Sequence, residues 1–463
     1  MIDENIITII SVLLLIGAIA KSAQIGLHTW LPDAMEGPTP VSALIHAATI
    51  VTAGVYLLIR SSPILEYGST SLILITWVGA LTAFFAATTG LLQNDLKRVI
   101  AYSTCSQLGL LFVVCGLSQY DVALFHLVNH AWFKALLFLS AGSVIHAIND
   151  EQDIRKFGGL ASLLPFTYIM IIIGSFSLIA LPFLTGFYSK DLIIELGYGQ
   201  YNFTGHAVYW LATLSAVFTA IYSIRSLYLT FLNYPNGVKI NYLFTHEAPI
   251  TMSIPLVVLA FFSIFFGYIT KDLFVGMGTD FWANSLFVHP NHSILVETEF
   301  AVPTVIKLLP LVGSLLGTLG VYFVYSIYSI LTTNLISSSL GKGFYRFFNQ
   351  KYFFDNIYNY FLLKPALNFG YITNKVLDKG AIELIGPYGL INSFKTASRS
   401  ITSFDTGFIP HYALYIFFGA VGFITLVLYV GNPKLFILLL YILVFNFTLV
   451  SNSIQKSEFN NEK

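Results

Sequence analysis

Apolar runs of about 20 residues, each long enough to cross roughly 30 Å of hydrocarbon, follow one another along nearly the whole chain. They are continuous rather than alternating, which selects helices over a transmembrane barrel. With 56% hydrophobic and 10% charged residues, against about 25% charged in soluble domains, the sequence reads as an all-α polytopic membrane protein. Helices are expected near 5–31, 40–60, 70–92, 98–118, 121–147, 164–190, 207–233, 251–270, 303–330 and 411–430. The run at 435–450 is either an eleventh span or a tail on the membrane. The zero net charge gives no hint of a nucleic-acid partner. Two cysteines are too few for an iron–sulfur cluster or a four-ligand zinc site. The sequence has no GxGxxG or P-loop pattern, so no cofactor or metal site is readable.

Ionisable residues inside such runs are costly and mark function by default. Lys21 follows the apolar run from Ile6 to Ala20, and His46 sits near the middle of the next segment. His126, His130 and Lys134 recur in steps of four, which keeps them on one helical face about 6 Å apart along the axis. That face must turn to protein or internal water. Histidine titrates near neutrality, so the row can pass protons; a hydrogen-bonded packing seam is the plainer reading. Lys190 beside Asp191 reads equally as an interface pair. Arg225, deep in the seventh helix, requires a buried anion or snorkels, and Arg60 and Lys307 read as snorkelling anchors. Asp95 and Lys97 lie in a tight interhelix link where the acid could pair with a basic residue of a neighbouring loop.

Two helices look broken, around Lys21 to Pro32 and at Leu181-Pro182-Phe183-Leu184-Thr185-Gly186. Paired breaks are the sign of transporter-like repeats. Alternate loops place Lys97, Arg98, Arg155, Lys156 and Lys239 on one side, against Arg60 and Lys271 on the other. The first is therefore the cytoplasmic or matrix side. Residues 331–410 carry eight basic residues from Lys342 to Arg399 and read as amphipathic helix lying along the membrane face or along neighbouring subunits. Pro365, Gly380 and Gly386-Pro387 should kink or segment it. The expected organisation is a bundle over 1–330, the lateral stretch over 331–410, and an anchor with a tail over 411–463.

The stretch KSAQIGLHTWLPDAMEGPTPVSALIHAATIVTAGVYLLIR, with NDLKRVIAYSTCSQLG, FHLVNHAWFKALLFLSAGSVIHA, FLTGFYSKD and DKGAIELIGPYG, closely resembles the distal antiporter-like, proton-pumping subunits of respiratory complex I, the mitochondrial NADH:ubiquinone oxidoreductase. The resemblance covers essentially the whole chain. It implies proton translocation across the mitochondrial inner membrane (or, as an alternative, a bacterial plasma membrane), driven by ubiquinone reduction elsewhere. Flavin, iron–sulfur clusters and ubiquinone are implied on partner subunits. By motif, Lys21 resembles the family's central lysine, and His46 the link to the second half-channel. His126, His130 and Lys134 resemble the relay, Lys190 the exit-side lysine, and Asp95 with Lys97 a retained loop pair. The stretch 345–405 resembles the long lateral helix beside the adjacent antiporter-like subunit. Family members carry about six more helices before Lys21, one with a glutamate for that lysine. The expectation is a split subunit, with another chain supplying those helices and pairing Lys21 in trans. A free-standing cation/proton antiporter subunit and a structural clamp that does not pump are the rival readings.

Overall fold

The computed structural model describes residues 4–283 and 285–429, together with 437 and 441. The apolar run at 435–450 therefore lies outside the described residues. Among those residues there is no strand. The extended pairing is a lone bridge between Asp95 and Asp153. Two compact units emerge, Met1–Asn356 and Ile357–Lys463.

In the first unit, membrane-length helices run as α1 (Glu4–Lys21), α2 (Thr39–Arg60), α3 (Ser69–Gly90), α4 (Leu96–Gly116) and α5 (Tyr120–Ala147). The broken sixth helix follows as α6 (Pro165–Ile179) and α7 (Leu192–Gly199). Then come α8 (Phe203–Leu232), α9 (Ile250–Val275) and α10 (Thr304–Ser326), and two shorter helices, α11 (Ser329–Ser337) and α12 (Ser339–Asn349).

The centre of the bundle is α4, buried along almost its whole length. It packs against α3 through small residues, which is how helices approach closely without a hydrophobic driving force. A Cβ on Gly109 would stand 2.6 Å from the Gly79 carbonyl oxygen, so the two backbones are in direct contact there. Asp95 caps α4, accepting from the backbone N–H groups of Lys97 (2.9 Å) and Arg98. The link before α4 is pinned to the link after α5 by Leu96 N–H to Gln152 O (3.0 Å) and Ile154 N–H to Asn94 O (2.9 Å).

Both expected breaks exist, with shifted bounds. The first helix ends at Lys21 rather than near residue 31. Ala23 (φ 50°) and Gly26 (φ 96°) adopt left-handed backbone, which a right-handed helix cannot continue. Its freed groups find partners: Ser22 Oγ donates to Val51 O (2.7 Å), Cys105 Sγ to Ala23 O (2.9 Å), and Ile25 N–H to Thr82 Oγ1 (3.1 Å). α6 stops at Ile179, because Ala180 (φ 69°) and Phe183 (φ 71°) are left-handed and Pro182 cannot donate to the helix. Helical geometry resumes as the wide turn Phe187–Asp191.

The second unit is helical from residue 357 to Thr402, with its register changing where the sequence suggested. A wide turn, Asn359–Leu363, precedes Pro365 at the start of α13 (Lys364–Ile372). Gly380 lies in the wide segment Thr373–Ile382. Gly386 (φ −86°, ψ −126°) separates this from α14 (Pro387–Thr402), and α15 (Ile409–Tyr429) follows.

Candidate functional site

α5 brings His126, Asn129, His130 and Lys134 into the bundle with no exposed surface. The four-residue spacing makes a row: the rings of His126 and His130 lie 6.2 Å apart. Each end of the row is met by a hydroxyl from another element. Lys134 Nζ donates to Ser103 Oγ of α4, and His126 Nδ1 lies 2.9 Å from Ser189 Oγ in the wide turn. In between, both nitrogens of His130 and the side-chain amide of Asn129 have no protein partner. Gln107 of α4 and the Tyr222 hydroxyl of α8 are also buried without one. Polar groups at such depth almost always hydrogen-bond to protein or ordered water. A row of this kind therefore has reason to hold water.

Lys190 sits one residue after Ser189 and is buried. Its Nζ donates to Leu178 O (3.1 Å) and Thr219 Oγ1 (2.9 Å). The broken helix explains the first acceptor: in an intact helix Leu178 O would pair with residue 182, a proline with no N–H. Both contacts are to neutral oxygens rather than to the adjacent Asp191. A small cavity of about 30 Å³ opens beside the row, lined among others by Ser103, Tyr222, Leu96 and Ser226. It reaches from the partner of Lys134 toward the basic end of α4 and is large enough for a water.

The first half is arranged differently. Lys21 ends α1 on an exposed face. Among the described residues no carboxylate forms an ion pair with it. The expected burial of Lys21 is thus not met among the described residues of the first unit, where the outer side of α1 is exposed. His46 lies in a wide helical segment, Ser42–Thr49, which packs against α5. It is half-buried, its Nδ1 lacks a protein partner, and its ring is 6.1 Å from that of Trp30.

Three other residues find partners that the sequence did not indicate. Arg225 neither meets an anion nor snorkels. It donates to Gln93 O (2.7 Å), Asn94 Oδ1 (2.9 Å) and Tyr325 Oη (3.1 Å), so its role is to hold the 91–95 link. Asp95 does not seek a neighbouring loop; it caps its own helix, with Arg98 3.7 Å away. Burial pushes its carboxyl up, and the cap hydrogen bonds and Arg98 oppose this. The basic partners reach across instead: Lys97 donates to Gly37 O (3.2 Å) and Arg98 to Glu36 (2.9 Å). Lys307, expected to snorkel, donates to Glu299 O (2.7 Å) and lies 3.9 Å from Glu195. Sequence reasoning missed Ser103, Ser189 and Thr219, since each comes from a different element. It also missed His28, which sits in the first break with 1% exposure.

Helices broken in two places around a buried Lys/His row define an antiporter-like membrane domain. The family model described as NADH:quinone oxidoreductase/Mrp antiporter, TM, matches residues 1–221, and that of the NADH dehydrogenase subunit 5 C-terminus matches residues 291–428. The chain is 74% identical to NADH-ubiquinone oxidoreductase chain 5 of Rhizopus stolonifer, over 98% of this chain and 69% of that protein. With the same-named protein of Mycosarcoma maydis the figures are 62% identity, 92% and 63%, and with that of Marchantia polymorpha 58%, 91% and 63%. The chain thus spans about two thirds of the length of these relatives. A solved structure of the Mrp complex from Dietzia sp. DQ12-45-1b shares the fold, with TM-score 0.62 and 24% identity over 87% of this chain and 42% of that one.

The chain belongs to the NADH-ubiquinone oxidoreductase chain 5 family. It is accordingly a multi-pass mitochondrial membrane protein and a membrane-arm subunit of the respiratory-chain enzyme. Among the described residues no cluster of His, Cys, Asp and Glu is suited to a metal ion.

Proposed function

We propose that this chain moves protons across the inner membrane along Lys21, His46, the row His126–His130–Lys134 and Lys190. The redox chemistry that drives it belongs to partner subunits carrying flavin, iron–sulfur clusters and ubiquinone. The single observation that carries the reading is the fully buried row on α5. Its ends are hydroxyl-bonded and its middle lacks protein partners, an arrangement that packing alone does not require. Protons step between the bases through internal water. Each lysine is charged when an anion or acceptor is near and releases its proton when that partner withdraws. Asp95, Lys97 and Arg225 hold the basic-side links that fix the frame around the row.

Lys21 takes part through a carboxylate borne outside this sequence, on the helices that cover the outer face of α1. The neighbouring antiporter-like subunit and lipid are the partners that suit the remaining apolar faces. In assembled enzyme reconstituted into vesicles, Lys190→Met should leave NADH oxidation by an artificial acceptor intact and lower the protons moved per NADH. An unchanged ratio would count against the path. The antiporter reading separates by purification: capture of NADH dehydrogenase subunits with this chain supports the enzyme, and capture without them supports the antiporter, while the clamp reading is the one that expects an unchanged proton ratio.

A further inference from the structure

One buried titratable side chain stands outside the path above. His28 lies seven residues beyond Lys21, in the irregular stretch that follows α1. Neither ring nitrogen has a protein partner. The ring is held edge-on between Phe85 of α3 (4.6 Å) and Phe354 (4.9 Å). A histidine that only filled space in an aromatic slot would leave two polar atoms unsatisfied. Leaving such atoms unmatched at this depth is costly, and an apolar side chain of similar size would avoid it.

Phe354 belongs to a segment more than 300 residues away in sequence, and its backbone is strained. Lys351, Tyr352 and Phe353 are all left-handed, with φ of 55°, 58° and 57°. Side chains with a Cβ disfavour this conformation, and three such residues in succession persist only if contacts over-determine them. The contacts run to α3 and to the short helix that follows the first break. Tyr352 shares a hydrogen bond with Thr88 (2.9 Å), and its ring meets Phe85 at 4.9 Å. Lys351 pairs with Asp33 (3.2 Å) and with Asp355 (3.4 Å). Residues 351–355 therefore form a clasp over His28, and Asp355 and Lys351 are the charged groups facing its ring. Asp33 lies close to Glu36 and Gly37, which hold Arg98 and Lys97 of the basic side.

We propose that His28 carries protons between the basic face and Lys21, and that the clasp at residues 351–355 covers it and sets its access to that face. The step is a plain proton transfer: one ring nitrogen accepts from the basic side while the other releases toward the break, so the imidazole returns neutral. This rests on the proton path proposed above, and its tests are chosen to fail separately.

The first test compares protons moved per NADH in reconstituted enzyme carrying His28→Gln, Lys134→Met or neither. The inference expects His28→Gln to fall as far as Lys134→Met, with acceptor-linked NADH oxidation unchanged. A wild-type ratio in His28→Gln beside a low one in Lys134→Met overturns the inference and leaves the path standing. Wild-type ratios in both overturn the path and this inference with it. The second test does not depend on His28→Gln assembling. Intact wild-type enzyme and Lys351→Met are treated with diethyl pyrocarbonate, and modification of His28 is read by mass spectrometry. At least a tenfold faster modification in Lys351→Met is expected; equal rates overturn the clasp.

Discussion

Lys134 and Lys190, the two lysines buried within the proposed path, are met by neutral oxygens alone: Ser103 for one, Leu178 O and Thr219 for the other. Removing one such acceptor leaves a buried donor unmatched, at about 1–3 kcal/mol. Ser103→Ala should therefore lower the thermal stability of the assembled enzyme, while Ser253→Ala, at a partly exposed position on α9 whose hydroxyl bonds its own helix, should not. Equal melting curves for the two would show that Ser103 does not support Lys134. At this scale the sequence was legible where a single helix fixes the geometry, as in the four-residue steps of α5. It was silent on partners from other elements, which is why Ser103, Ser189 and Thr219 were missed. Arg225 was misread for the same reason. Nothing local to it shows that the 91–95 link brings two oxygens to its guanidinium.

Helix contacts and links make their own predictions. Gly109 and Gly79 put α3 and α4 in backbone contact, so Gly109→Val must part the two helices. That overpacking should cost several kcal/mol and remove the subunit from the assembled enzyme on native gels. Gly320→Ala on α10 is the matched control, since a Cβ there meets nothing within 4 Å and alanine is the better helix former by about 1 kcal/mol.

The 148–157 link should respond to acid. The hydrogen bond from Lys156 holds the Glu151 carboxyl below its usual range, and that from Arg155 does the same for Asp153. Depressed carboxyls contribute stability that is present at neutral pH and lost as pH falls through the ordinary carboxylate range, near 4. Both groups are partly exposed, so the effect is small. The protection of residues 151–157 from hydrogen exchange, corrected for the intrinsic pH dependence of exchange, should fall below about pH 4.5, with the protection of α4 unchanged. The breaks themselves were visible, around Lys21 to Pro32 and at Pro182. Their bounds were not, because Ala23 and Ala180, which carry the left-handed turns, have no special chemistry.

On the scale of the molecule, the all-helical, multi-pass architecture and the two broken helices could be read directly. Hydrocarbon thickness and the cost of buried charge leave few alternatives. What lies beside Lys21 could not be read, because no residue near it in sequence is a carboxylate and none of the described carboxylates pairs with it. Carbodiimide coupling in the intact membrane should join Lys21 to a carboxylate outside this sequence, as peptide mass spectrometry would show. Coupling to a carboxylate within the sequence would remove the argument for pairing in trans.

The central claim is that the buried row on α5 conducts the protons. Its most direct test is the number of protons moved per NADH oxidised by reconstituted Lys134→Met enzyme, matched to wild type for assembly and for acceptor-linked NADH oxidation. The account predicts a lower ratio; a ratio equal to wild type would contradict it.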